Sequence, residues 1–181
     1  MDYDQLIRNW HAKAPGEDYF SGFVFEYLAF IAFLKKRKFI QSTDDRRAIQ
    51  FLKQDNDARD AYLNLVQNDQ ELATAWTMIV AELGRARLGN VSGSGDSVQE
   101  IIWWNCDRLE VNQKSTEDNK KINGVIYDLH DWVNMVEFVY SIRNNLFHGG
   151  KDPEDERDQL LVSNGFTALS PLVELLINSG R

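Results

Sequence analysis

From Asp131 to Phe147 the apolar positions recur every three or four residues, and a double glycine, Gly149-Gly150, stops the run. At about 3.6 residues per turn, each residue advances about 100° around a helix. Counted from Trp132, one side collects Met135, Val136, Val139, Ile142, Leu146 and Phe147, the stripe expected of a helix packed on one face. The opposite side collects Glu137, Ser141, Asn144 and His148 in a polar line. Arg143 breaks the pattern by projecting from the apolar side, where a charge is rarely buried unless it is paired. The plain reading of this end is an arginine that snorkels and a histidine resting on the C-terminal dipole.

The rest of the chain also reads as helices. Asp2 to His11 predicts a short helix, broken by Ala14-Pro15-Gly16. Asp18 or Ser21 caps the next, roughly Tyr19 to Lys36, which is apolar nearly all round and so belongs in the centre of a bundle or in a subunit interface. Glu26 is its odd residue, read either as a partly exposed carboxylate or as a partner for Arg143. Thr43-Asp44-Asp45 starts a helix that ends near Phe51-Leu52. Asp57 to Arg87 is one long helix or two joined near Asn68-Asp69. Gly89 to Gly95 is a loop; no strand precedes it and no Lys-Ser/Thr pair follows, so it is not a phosphate-binding loop. Asp96 or Ser97 caps a helix through Trp103, Trp104 and Leu109, and those two rings either stack bases or pack at the core edge. About 110 to 123 reads as a long polar loop. Asp152-Pro153-Glu154 starts the final helix, with a kink expected near Gly165 or Pro171. The expectation is an all-α bundle of about five or more helices in a single domain, residues 1–181.

Composition narrows the function. The hydrophobic share is 43%, enough for a core, and long stretches lack β-type alternation. The net charge is −8, so the chain does not advertise the basic face that grips long nucleic acid, and any such contact should be local and short. The acidic run Asp152 to Asp158 beside His148 points the same way. One cysteine, Cys106, excludes an intrachain disulfide and a cysteine-rich zinc site, and fits a reduced, cytoplasmic setting. The first 19 residues do not resemble a signal peptide. Phe20 to Leu34 is short for a membrane span and contains Glu26, so no membrane association is expected. Lys35-Lys36-Arg37-Lys38 reads as a solvated helix end ahead of a membrane-surface anchor or basic arm. His130 lies near carboxylates without a third converging ligand, and His11 has no evident partner; neither a metal nor a cofactor is expected.

The spacing Arg143-Asn144, three residues, then His148 resembles the R-N-x-x-x-H signature of HEPN domains, the higher eukaryote and prokaryote nucleotide-binding superfamily. A second stretch agrees. Phe23 to Leu34, the basic linker and Asp45 to Leu52 resemble the N-terminal half of the Apea-like branch, although Ile31 and Tyr27 stand where that branch carries Asn and often Trp. The resemblance implies a four- to five-helix core, often dimerised so that two motifs face each other across a two-fold axis. It implies a metal-independent endoribonuclease in which the RNA 2′-hydroxyl attacks the adjacent phosphorus. His148 would move the proton, Arg143 would stabilise the phosphorane, and Asn144 would orient His148 or bind a phosphate oxygen. Glu26, Ser141 and Glu137 would support the site. Such proteins commonly act as toxins or anti-phage effectors, sometimes with an antitoxin partner. The alternative from a different class is a noncatalytic module that binds a nucleotide or protein partner.

Overall fold

Five helices carry the first half of the chain, and each begins where an aspartate can accept from free backbone N–H groups. The computed structural model describes residues 2–88 and 124–179. Helix α1 (Tyr3–Lys13) is capped by Asp2, α2 (Tyr19–Phe33) by Asp18, and α3 (Asp45–Lys53) by Asp44. Helix α4 (Asn56–Asn68) is capped by Asp55 and α5 (Gln70–Arg85) by Asp69. Asp69 also closes α4, so the 57–87 stretch is two helices sharing one hinge residue. Helix α6 (Trp132–Phe147) and helix α7 (Glu156–Ser179) complete the described bundle, in which there is no strand. The expected all-α fold is therefore present. The Gly89–Gly95 loop, the Trp103-Trp104 helix and the polar stretch 110–123 lie outside the described residues.

Helix α2 is central, packing on α1 and α7, while α5 lies against α7 and α3 against α6. Phe23, Tyr27 and Phe30 of α2 meet Trp76 of α5, Tyr62 of α4 and Phe138 of α6 in one core. Fully burying a side chain of this size contributes about 1.5–3 kcal/mol. Two of the polar tips in that core, those of Trp76 and Tyr62, are satisfied. Trp76 Nε1 donates to the Tyr62 hydroxyl at 2.9 Å, and Tyr62 donates to the Ala168 carbonyl at 2.5 Å.

One sequence expectation changes in detail. Helix α7 starts at Glu156, not at Asp152, because Asp152 caps only a preceding turn through the Glu154 N–H (2.9 Å). Asp155 is the residue that accepts from Asp158 N–H, at 2.8 Å, while the Asp158 carboxylate turns back to Lys151 and the Asp152 N–H. Helix α7 is one continuous element that contains Gly165 and Pro171. Gly165 is there for close approach: a Cβ would sit 3.3 Å from the Phe23 ring and 3.4 Å from that of Phe138. Among the described residues α7 is the one helix long and apolar enough to cross a bilayer, and its Leu161, Val162, Leu169 and Leu172 are already buried in the core.

The end of α2 unwinds into a π turn, Leu34–Lys38, closed by Phe39 N–H on the Leu34 carbonyl at 2.6 Å. Its four cations all have intramolecular partners. Lys35 pairs with Asp45 at 2.9 Å, Arg37 with Asp4 at 2.5 Å, and Lys38 with Asp55 at 2.9 Å. Lys36 lies over the Tyr3 ring at 5.1 Å. The run expected to be a solvated helix end keeps Lys36 and Arg37 exposed, and its ion pairs also clasp α2 to α1, α3 and the start of α4.

Candidate active site

Helix α6 ends where it does because of its glycines. His148 is the C-cap residue, and its N–H bonds the Asn144 carbonyl at 3.0 Å. Gly149 follows with φ +70°, a conformation L side chains rarely adopt. Its N–H bonds the Leu146 carbonyl at 3.2 Å, and Gly150 N–H bonds the Asn145 carbonyl at 2.8 Å. That pair of bonds is a Schellman closure, which satisfies the last carbonyls of the helix. It holds His148 at the rim, exposed, with no side-chain hydrogen bond among the described residues.

Arg143 lies one turn earlier and is half-buried. Its Nη1 donates to Asn144 Oδ1 at 2.8 Å, and its Nη2 lies 3.5 Å from Asp45 Oδ2 of α3. The guanidinium also lies over two rings, Phe147 at 4.8 Å and Tyr27 at 5.5 Å. Arg143 Nε and the Tyr27 hydroxyl are buried without a hydrogen-bond partner. Burial pushes the Tyr27 hydroxyl pKa well above its ordinary range, so this group stays a neutral donor. Asn144 is buried against this arrangement. Its Oδ1 therefore serves Arg143, a different partner from the histidine or phosphate that the resemblance implies.

The polar line of α6 divides. Glu137 is completely buried, and Ser141 nearly so. Glu137 Oε1 accepts from Arg46 Nη1 at 2.5 Å and Oε2 accepts from Lys53 Nζ. Arg46 in turn lies over Tyr140, 5.3 Å from the ring centroid. Glu137 is thus held by α3, some turns from the exposed end, and does not reach His148's rim. Arg46 and Lys53 did not stand out in the sequence, although seven residues on a helix put them on one face.

Glu26 answers to neither sequence reading. It is fully buried, and it pairs with His11, whose Nδ1 lies 2.7 Å from Oε1. Arg143 is not its partner. Burial raises the Glu26 pKa above the usual carboxylate range, and the hydrogen bond to that carboxylate raises the His11 pKa. Nothing in the sequence announced the pair: His11 and Glu26 lie at unequal distances from the Pro15–Asp18 turn, and only the packing of α1 on α2 brings them together.

The structure therefore brings Arg143, Asn144 and His148 to one end of α6, adds Asp45 and Tyr27 to them, and separates Glu26 and Glu137 from them. Chemically, this end of α6 carries an exposed imidazole about one turn beyond a half-buried guanidinium. Among the described residues no three His, Cys, Asp or Glu side chains gather as a metal site. No family model, no curated protein and no solved structure matches this chain.

Proposed function

We propose that the chain is a metal-independent endoribonuclease of HEPN type. The observation that carries the reading is the rim of α6: Arg143 tied to Asn144 at 2.8 Å, with an exposed His148 fixed on the next turn by a glycine closure. The RNA 2′-oxygen attacks its adjacent phosphorus, forming the cyclic P–O bond, and the P–O bond to the 5′-oxygen of the next nucleotide breaks. One proton leaves the 2′-hydroxyl and one reaches the departing 5′-oxygen. His148 moves one of them, and Arg143 neutralises the charge that gathers on the phosphorane oxygens. Asn144 fixes the Arg143 fork. Two proton transfers need two carriers, which favours a homodimer whose second His148 completes the site. The net charge of −8 suits a short, local RNA contact. A cytoplasmic toxin or anti-phage effector, held in check by an antitoxin partner, is the setting the resemblance implies.

The second reading is a noncatalytic nucleotide- or protein-binding module. It is favoured by Asp45, which already occupies one edge of Arg143 at 3.5 Å. Purified protein incubated with RNA in excess chelator separates the two. Fragments ending in a cyclic phosphate, lost in His148→Ala and Arg143→Ala with helicity intact, support the enzyme. Intact RNA with tight nucleotide binding supports the module.

A further inference from the structure

Beside the motif, α2 and α6 leave an apolar hollow of about 340 Å3. Phe20, Ser21, Val24 and Phe25 line it from α2, and Leu146 and Phe147 from α6. Phe147, the residue before His148, is 55% exposed, unusual for a large apolar side chain unless something covers it. Ser21 is the only polar member of the lining, and no charged side chain contributes. Two cations flank it. Lys13 Nζ lies 5.2 Å from the centroid of Phe25, and the Arg143 guanidinium lies 4.8 Å from that of Phe147. Lys13 also pairs with Glu17 at 2.7 Å, and Arg143 faces Asp45.

We propose that this hollow receives one unstacked nucleobase of the RNA substrate, next to the scissile phosphate, with the phosphates on either side directed to Lys13 and Arg143. The inference rests on the ribonuclease reading and adds a recognition subsite to it. A neutral, flat, aromatic group suits walls of phenylalanine. A phosphate does not, and its place is at the cationic edges. Charge complementarity selects this occupant over an apolar peptide or a second copy of the chain: in a protein of net charge −8, two cations rest on rings that line an uncharged hollow. Proteins that read single-stranded RNA splay out a base and stack it on aromatic side chains. Such stacking contributes about 1–3 kcal/mol per base.

The test uses a labelled single-stranded RNA and the full chain carrying His148→Ala, so that nothing is cut. Adding Phe147→Ala should weaken binding by about 5- to 150-fold, the equivalent of one stacked base. Phe147→Trp should keep the affinity. Because Phe147 is exposed, both variants should fold, which circular dichroism checks. With the wild type, an RNA lacking the single base beside the cut should be cleaved slowly at that position. Unchanged affinity in Phe147→Ala, or equal cleavage of intact and abasic RNA, overturns the base subsite while leaving the ribonuclease standing. A change in oligomeric state in Phe147→Ala, with no change in RNA affinity per site, assigns the hollow to a second copy and also overturns it. Failure of the wild type to cut any RNA removes the reading on which the subsite rests.

Discussion

Glu137 and Arg143 lie on the same helix, each faces a side chain of opposite charge type, and both meet the same neighbour, α3. Their surroundings differ. Glu137 is sealed from water and receives both Arg46 and Lys53. Arg143 keeps 27% of its side chain exposed and meets a single carboxylate, Asp45, at 3.5 Å. A buried charge survives only with close partners, and removing one partner leaves the other stranded. A half-exposed pair is screened by water and adds about 0–1 kcal/mol. Helix α3 therefore clamps the middle of α6 through its basic residues and only steadies the end of α6 through its first acidic one. The first arrangement resists change. The second leaves the guanidinium able to turn toward an anion.

The largest effect is expected where the clamp is broken. Glu137→Ala leaves Lys53, with a side chain 4% exposed, facing no counter-charge, and should cost about 3–5 kcal/mol in urea unfolding. A loss below about 1 kcal/mol would erase the contrast with Arg143. Next comes the glycine closure: Gly149→Ala meets no neighbour within 4 Å but must hold φ +70°, so a loss of about 1 kcal/mol is expected. On the proposed ribonuclease reading, RNA cleavage should fall further than that stability change accounts for, because His148 shifts with the frayed end. Glu26 sharpens the comparison from outside α6, since its partner is a histidine and not two permanent cations. Both Glu26 and His11 have raised pKa values in the folded chain. The folded chain thus binds the pair's protons more tightly than the unfolded chain, and their contribution is lost as pH rises through those raised values. Unfolding measured from pH 6 to pH 9 should show this decline, and Glu26→Gln should flatten it; an unchanged slope in the variant would disprove the assignment. The smallest effect on stability belongs to His148→Ala, within about 0.5 kcal/mol, as for an exposed side chain without partners. On the proposed ribonuclease reading, its cleavage rate should nonetheless drop by about 10²–10⁴-fold, the usual share of a general acid or base.

Much of this architecture was legible in the sequence. Asp18, Asp44 and the double glycine announced helix ends because capping is local chemistry, set by a few neighbouring atoms. The three motif residues were legible for the same reason, since one helix fixes their spacing. What spacing along one helix cannot reveal is the neighbour across it. Glu137, Ser141 and Asn144 read as one polar line with His148, yet only His148 stands in water, because α3 covers the earlier turns. Arg46 and Lys53 gained their meaning only when α3 docked. Glu26 found His11 through the packing of α1 on α2, a pairing that no local pattern displays.

The clasp at Lys35–Lys38 has a practical consequence for any assay of this protein. Four consecutive cations in an acidic chain suggest an RNA grip whose strength should fall with ionic strength. Three of them instead face carboxylates on α1, α3 and just before α4, partly open to solvent and therefore to screening. Raising salt loosens the joints between helices as well as any phosphate contact. A fall in activity with added salt would blend the two, so the number of phosphates engaged should be read only from salt titrations in which unfolding is followed alongside.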